Sequence, residues 1–186
     1  LFGVTYNAEI KNLGITGQIK SSEYNVGGIS GYSGGTIYMN NCWNKCNITA
    51  TNSSNVGGLI GNSETKADVR KCYNSGEITG SSNVGGLIGI SNGKISVVES
   101  YNLGTILGHE SGGIIGCSDD DMIINNCYNK GTIGSEETTY YQIGGLVGQS
   151  GRDSSSSSKT ATCIITNSNN EGIILGNSNW RNNRRK

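Results

Sequence analysis

The chain has 186 residues, including 30 glycines and no proline, and its 14 basic and 14 acidic residues cancel to a formal net charge of zero. A collagen helix is excluded because it needs proline and a glycine at every third position. The zero net charge provides no overall field to attract nucleic acid or an anionic membrane, and no apolar run reaches the roughly 18 residues of a transmembrane segment.

Residues 1–24 are predicted to form a degenerate N-terminal turn or cap. They contain Asn12, Leu13 and Gly14, which match the Asn-Leu-Gly of residues 102–104 in a motif that recurs downstream. An atypical terminal repeat is what the end of a stacked array of repeats needs.

Two short motifs alternate five times through residues 25–176. The first contains a glycine pair and reads NVGGISG from Asn25, NVGGLIG from Asn55, NVGGLIG from Asn83, SGGIIG from Ser111 and IGGLVG from Ile143. The second reads NCWNKCNI from Asn41, KCYNSGEI from Lys71, ESYNLGTI from Glu99, NCYNKGTI from Asn126 and NSNNEGII from Asn167. The first glycine precedes the aromatic residue by 16 residues in four copies, whereas the return segment varies in length. The last copy carries a polar insertion that predicts a Ser-rich loop at residues 151–159.

The short apolar segments in these repeats predict β-strands, because they are bounded by Gly, Asn and Ser and never keep the apolar spacing of a helix. A single repeat cannot bury its own apolar face, but stacked repeats bury a continuous column and pair equivalent strands about 4.8 Å apart. The sequence therefore predicts an all-β fold. It is a parallel β-solenoid, or β-helix, of about five coils of 27–32 residues plus the N-terminal turn, with about three strands in each coil.

Equivalent positions of the five repeats form columns of similar side chains. Four apolar columns are expected to face the core: Ile29, Leu59, Leu87, Ile114 and Leu146; Ile37, Ala67, Ile95, Met122 and Cys163; Met39, Val69, Val97, Ile124 and Ile165; and Ile48, Ile78, Ile106, Ile133 and Ile174. A serine column contains Ser33, Ser63, Ser91, Ser118 and Ser150, and an asparagine column contains Asn44, Asn74, Asn102, Asn129 and Asn170. Identical amides can hydrogen-bond along such a stack.

The alternation of GGLIG or GGLVG with CYNxGxI resembles the GLUG-motif repeat over roughly residues 25–176. Family members look like stalk or adhesin-type segments of bacterial surface and secreted proteins, including regions beside the protease domain of IgA-cleaving metallopeptidases. The resemblance therefore implies an extracellular or cell-surface location. It carries over no peptidase activity, because the chain has no HExxH motif and His109 is its only histidine. Cys46 and Asn169 depart from the repeat pattern.

An aromatic row formed by Trp43, Tyr73, Tyr101 and Tyr128 is the candidate contact surface. Packing of the same row at a corner of the coil is the alternative. The expected partners are a protein or glycan on a host or neighbouring cell, copies of this chain, or other subunits of an assembly.

Three of the six cysteines, Cys42, Cys72 and Cys127, are expected to be small, half-buried side chains. Cys42, Cys72 and Cys127 share one column with Ser100, and the Cys42–Cys46 pair alone is a weak signal for zinc. Cys42 and Cys72 would have Cα atoms about 4.8 Å apart, within the range of a disulfide, so both the bridged and the free forms stay open.

No residue is predicted to be catalytic or to bind a cofactor. Asp119, Asp120 and Asp121 are weak calcium candidates, since adjacent carboxylates can help to hold Ca²⁺, although the calcium-binding GGxGxD repeat is absent. His109 could act as a general base, but a solvated loop residue is the simpler interpretation.

The leading hypothesis is a non-catalytic repeat scaffold for surface display, adhesion or protein and glycan contact. A structural subunit of a filament or larger assembly is the first alternative. A carbohydrate-active β-helix enzyme, either a polysaccharide lyase or a glycoside hydrolase, is the second, for which Glu64, Lys66, Asp68 and Arg70 alternate along one strand. Residues 177–186 form a basic tail or linker in which Trp180 is expected to cap the last coil.

Overall fold

The structure is a computed structural model that describes residues 1–151 and 161–176. The predicted Ser-rich loop beyond Gly151 and the predicted C-terminal tail, residues 177–186, lie outside the described residues. All regular elements in the described part are β-strands. None of it forms a helix with the length and apolarity to cross a membrane.

Four parallel sheets run along the molecule, and each takes one strand from the N-terminal turn and one from each of the five coils, except that sheet 4 has a seventh short strand, Val26–Gly27, paired with Asn47–Gly57. Sheet 1 contains Phe2–Thr5, Ser30–Ser33, Ile60–Ser63, Ile88–Ser91, Ile115–Ser118 and Val147–Ser150. Sheet 2 contains Ala8–Lys11, Ile37–Asn40, Ala67–Arg70, Ile95–Val98, Met122–Asn125 and Cys163–Thr166. Sheet 3 contains Gly14–Ile15, Trp43–Asn44, Tyr73–Asn74, Tyr101–Asn102, Tyr128–Asn129 and Asn169–Asn170. Sheet 4 contains Gln18–Lys20, Val26–Gly27, Asn47–Gly57, Ile78–Gly85, Ile106–Gly112, Ile133–Gly134 and Ile174–Leu175.

The pairing register follows the sequence repeat, so the predicted parallel β-solenoid is confirmed. In sheet 2 Ala67 pairs with Ile95, and in sheet 3 Tyr73 pairs with Tyr101. The register shifts in sheet 4 next to Ser82. This shift lies in the return segment, the part of each coil whose length varies in the sequence, so a bulge absorbs the difference in coil length.

Residues 1–24 contribute a strand to every sheet. Phe2–Thr5 pairs with Ser30–Ser33 in sheet 1, and Gln18–Lys20 pairs with the start of Asn47–Gly57 in sheet 4. The N-terminal turn is therefore a complete layer in its backbone, although its sequence matches the later repeats only in part.

Each inner coil has four strands, so the prediction of about three is wrong. The segment that ends at the Cys-Tyr step is divided between sheets 2 and 3 by a residue with a left-handed backbone: Asn41, Lys71, Glu99, Asn126 and Asn167, with φ from 49° to 54°. Asparagine tolerates this conformation better than most residues. Lys71 and Glu99 have no such preference for a left-handed backbone. The sequence therefore gives no sign of this corner between sheets 2 and 3.

The core confirms the apolar columns in the inner coils. Ile29, Leu59, Leu87 and Ile114 are all fully buried, and the main cluster lies between sheets 1, 2 and 3. A smaller cluster around Ile78 lies against sheet 4. At the last described coil Ile165 is 43% exposed and Ile174 is 46% exposed, because this coil has a described neighbour on only one side.

Candidate functional site

The aromatic column consists of Trp43, Tyr73, Tyr101 and Tyr128, the first residues of four successive strands in sheet 3. The following residue of each strand is a buried asparagine, so the aromatic ring points to the outer face as strand alternation requires. The ring centroids of Tyr73 and Tyr101 are 5.0 Å apart, and those of Tyr101 and Tyr128 are 4.8 Å apart, each pair tilted by only 2°. Trp43 continues the stack at 6.2 Å from Tyr73. The rings are therefore both half-buried and packed on one another.

This stacking decides what the column offers to a partner. Because the rings lie face to face, their faces are covered by their neighbours and their edges point outwards. Among the described residues, no protein group hydrogen-bonds the hydroxyls of Tyr73, Tyr101 and Tyr128, and none of these hydroxyls is buried. The column therefore presents a straight row of hydroxyl groups and ring edges, suited to hydrogen bonding rather than to stacking against a sugar ring.

Both ends of the aromatic column are closed by the neighbouring coils. The indole of Trp43 lies over Gly14, where a Cβ atom would overlap the ring, and Lys45 Nζ is 4.9 Å from the indole centroid. At the other end Lys130 Nζ is 5.3 Å from the ring centroid of Tyr128. Asn169 takes the aromatic position in the last coil and keeps the pairing register. A lysine thus lies beside each terminal ring of the column.

Burial raises the pKa of the Tyr101 phenol, and the adjacent Tyr128 and Tyr73 phenols raise it further. The neutral phenol is therefore favoured in the folded chain. Its contribution to stability is complete below the ordinary tyrosine pKa of about 10 and is lost as the pH rises through the folded value.

We expect the urea midpoint to fall above about pH 10, and to fall less in a Tyr101→Phe variant. Phenylalanine keeps the stacked ring and removes the titrating hydroxyl. The check is a series of urea unfolding curves for both proteins from neutral to alkaline pH. Parallel declines in the two proteins would show that Tyr101 does not contribute.

An asparagine column lies directly behind the aromatic column and confirms the predicted amide ladder. The Nδ2 of each residue donates to the Oδ1 of the next, over 2.7 Å from Asn44 to Asn74 and 2.8 Å from Asn74 to Asn102. The ladder continues over 2.7 Å to Asn129 and 2.7 Å to Asn170. Each amide also bonds the backbone two residues ahead, as Asn74 does with the carbonyl oxygen and N–H of Gly76. The ladder thus satisfies the turn that follows sheet 3.

The cysteine column, which consists of Cys42, Cys72, Ser100 and Cys127, forms hydrogen bonds at the corner between sheets 2 and 3. Cys42, Cys72 and Cys127 are at most 1% exposed, so the expectation of half-buried side chains is wrong. The Cys72 thiol donates to the carbonyl oxygen of Arg70, and the Ser100 hydroxyl makes the same bond to Val98. The side chain also accepts a backbone N–H from the preceding coil, as Cys72 Sγ does from Cys42.

All six cysteines are free thiols in the structure. A side-chain hydrogen bond with the Cys42 thiol and then burial raise the pKa of Cys72, and burial raises the pKa of Cys127. Cys46, which departs from the repeat pattern, is also buried. Cys42, Cys72 and Cys127 therefore act as small hydrogen-bonding core residues, in a column where Ser100 takes the same position and makes the same kind of bond.

We expect Cys72→Ser to change the free energy of unfolding by less than about 1 kcal/mol, because a hydroxyl makes both hydrogen bonds at Ser100. Cys72→Ala, whose side chain is close to serine in volume, leaves the N–H of Cys42 without an acceptor, which costs about 1–3 kcal/mol. Urea unfolding of the two variants measures the difference. Equal losses in both would mean that volume alone matters at this position.

The three calcium candidates are engaged with protein groups. Asp121 forms a 2.8 Å ion pair with Lys94 and accepts the N–H of Thr162, whereas Asp120 accepts the N–H of Asp121. The Asp119 carboxylate accepts a hydrogen bond from the Cys117 thiol. Within residues 1–151 and 161–176, no three His, Cys, Asp or Glu side chains are grouped to hold a metal ion. The calcium hypothesis gains no support from this geometry.

The remaining candidates for acid–base chemistry also have partners. Asp68 pairs with Arg70, and Glu64 accepts a hydrogen bond from Asn92. His109 lies in a strand of sheet 4 rather than in a loop, and its ring stacks on Tyr141 with centroids 4.0 Å apart. Its Nδ1 accepts the backbone N–H of Tyr141. These two contacts fix His109 against the return segment that contains Tyr141.

Comparison with known proteins identifies one part of the chain. A family model described as the GLUG motif matches residues 52–79. Searches of curated proteins and of solved structures gave no match. The matched segment begins within Asn47–Gly57 and ends within Ile78–Gly85, so it spans strands of all four sheets. Residues 52–79 are therefore a GLUG repeat, and this repeat forms one complete coil of the parallel β-solenoid.

Proposed function

We propose that the protein is a non-catalytic repeat scaffold, displayed at a cell surface or in a secreted assembly, whose outer face contacts a protein or glycan partner. The aromatic column carries this proposal. Its rings are held in register by four successive coils, and its hydroxyls point outwards without a hydrogen-bonding protein group in the described residues. A repeated polar row on a rigid face is suited to recognition.

The chemistry of the aromatic column favours partners that carry hydrogen-bond acceptors. Phenol hydroxyls and ring edges are donors or electropositive groups. Lys45 adds positive charge at one end of the column, whereas Lys130 at the other end is paired with Glu171 over 3.2 Å. Carbonyl and carboxylate oxygens of a peptide or an acidic glycan match this row. The covered ring faces argue against the stacking mode by which aromatic residues hold neutral sugars.

A structural subunit is the second candidate, favoured by apolar side chains at both ends of the described solenoid. Phe2 is 45% exposed and Val4 is 68% exposed in the first layer, and Ile165 and Ile174 are exposed in the last described coil. Unpaired strand edges at such ends favour end-to-end stacking. Light scattering across a range of protein concentrations tests this candidate, because a filament subunit grows in mass whereas an independent scaffold does not.

An array of glycans and host surface proteins tests the proposed contact. The wild type is compared with Tyr101→Phe and Tyr73→Phe, which keep the stacked rings and remove one hydroxyl each. We expect about a tenfold loss of affinity, the equivalent of about 1.4 kcal/mol. Tyr24→Phe is the matched control, since Tyr24 is 68% exposed and lies outside the column.

Two results would contradict the proposal. Cleavage of an arrayed glycan would replace the non-catalytic scaffold with an enzyme. Binding that survives both column substitutions and is lost in the Tyr24→Phe control would remove the contact from the aromatic column.

A further inference from the structure

A groove of about 250 Å³ lies on the outer face of sheet 2, across its first three strands. The groove is lined by the side chains Glu9, Lys11, Tyr38, Asn40, Asp68 and Arg70, with Met39 at its base. These six side chains occupy the outward positions of Ala8–Lys11, Ile37–Asn40 and Ala67–Arg70. The register places Tyr38 between Glu9 and Asp68, and Asn40 between Lys11 and Arg70.

The two outer strands of the groove each carry an ion pair. Lys11 Nζ is 2.6 Å from Glu9 Oε1 on one side. On the other side Arg70 Nε is 2.8 Å from Asp68 Oδ1 and Arg70 Nη2 is 3.1 Å from Asp68 Oδ2. Since neighbouring strands lie about 4.8 Å apart, the two pairs face each other across about 10 Å. Tyr38 and Asn40 lie between them.

The charge balance of the groove selects the kind of ligand. Its two cations and two anions cancel, and each is already paired. A charged ligand would therefore have to break an ion pair, with the loss of a charge-assisted bond. A neutral ligand with several hydroxyls can instead use the unoccupied lone pairs of the exposed Glu9 carboxylate and the remaining N–H groups of Lys11 and Arg70, since each hydroxyl both donates and accepts.

The middle strand supplies the rest of such a site. The Asn40 amide offers one acceptor and two donors, and no described protein group takes them. The ring of Tyr38 is 44% exposed and forms an apolar wall. Lys66 Nζ, which is not among the lining residues, is 5.6 Å from that ring's centroid and steadies it from outside the groove.

We propose that this sheet 2 groove binds one neutral saccharide unit, with its apolar C–H face on Tyr38 and its hydroxyls on Asn40 and the two flanking ion pairs. The volume is somewhat below the roughly 300–1,000 Å³ of pockets for drug-sized ligands, which fits a small ligand. The groove lies on a different sheet from the aromatic column, so it adds a second contact face to the proposed scaffold and can be tested separately.

Titration of the full chain with glucose, galactose, mannose and N-acetylglucosamine, followed by ¹H–¹⁵N correlation spectra, tests the groove. We expect at least one sugar to give saturable shifts of the backbone amides of Tyr38, Met39 and Asn40 at millimolar concentration. Asn40→Ala and Tyr38→Ala should each weaken binding about tenfold. Arg70→Gln, a change at an exposed position, serves as a further test if either alanine variant fails to fold.

Two controls give the test its specificity. Ser96→Ala changes an outward side chain of the same sheet one layer beyond the groove, and Tyr73→Phe changes the aromatic column. Both should leave the sugar shifts intact. If Tyr73→Phe loses array binding but keeps the sugar shifts, the aromatic column and the groove are separate binding faces. Sugar shifts that need Asn40 and Tyr38 support the groove even if the aromatic column binds nothing on the array.

Saturable shifts that persist unchanged in Asn40→Ala and Tyr38→Ala would overturn the assignment. So would the absence of saturable shifts with all four sugars. An equal response to acetate or to methylammonium would also overturn it, because it would identify an ionic site.

Discussion

Replacing Asn102 with alanine is expected to destabilise the protein by about 3–5 kcal/mol. Asn102 is fully buried in the asparagine column and takes part in four hydrogen bonds. Its removal deprives Asn74 of an acceptor and Asn129 of a donor, and leaves the backbone N–H and carbonyl of Gly104 unpaired. An unsatisfied buried polar group costs about 1–3 kcal/mol, and these groups are too enclosed for water to replace the lost amide.

The matched control for this prediction is Asn170→Ala. Asn170 ends the same ladder, accepts one bond from Asn129 and donates one to Gly172, and is exposed. Water can replace these bonds, so a loss of less than about 1 kcal/mol is expected. The measurement is urea unfolding, in which both variants should show the same dependence of the free energy of unfolding on urea concentration. Similar losses at the two positions would show that the ladder is not a cooperative internal support.

The sequence predicts the parts of this fold in which one residue type repeats at one position. The asparagine column could be predicted to its last member, because five identical amides in register leave only one way to pair along the stack. The apolar columns follow for the same reason. The solenoid is quasi-one-dimensional, and each coil contacts mainly its neighbours.

The orientation of the aromatic rings could not be predicted in this way. Strand alternation places Tyr73, Tyr101 and Tyr128 on the outer face, but whether they present faces or edges depends on packing between coils. The spacing of about 4.8–5.0 Å equals the strand separation, and it lets parallel rings stack. The row that the sequence offers as a candidate contact surface is therefore a hydroxyl-edged stack in the structure.

The corner between sheets 2 and 3 and the sheet 2 groove could not be predicted from the sequence, for opposite reasons. The corner repeats in every coil, but it tolerates Lys71 and Glu99 in a left-handed backbone conformation and so leaves no residue signature. The groove does not repeat at all. Its ion pairs and Tyr38 come from three layers with different outward residues, and only the register brings them together.

Replacing Gly86 with alanine is expected to destabilise the protein by about 4 kcal/mol or more, the range of severe core overpacking. Gly86 is the second glycine of its pair and lies against the asparagine column. An added Cβ would overlap the carbonyl oxygen of Gly113 in the next coil and would lie 2.7 Å from the Cγ of Asn102. The first obstacle is backbone, so the next coil must shift, and the second is the buried amide.

Gly3→Ala is the matched control for Gly86→Ala, because a Cβ at Gly3 meets nothing within 4 Å. That change should leave the urea midpoint the same or raise it slightly, since alanine restricts the unfolded chain. A double variant with Gly86→Ala and Asn102→Ala should not recover stability, because the Gly113 carbonyl still blocks the methyl group. Recovery in the double variant would mean that the amide alone excludes a side chain at this position. A small loss in Gly86→Ala itself would mean that adjacent coils can separate locally, which a rigid display scaffold cannot allow.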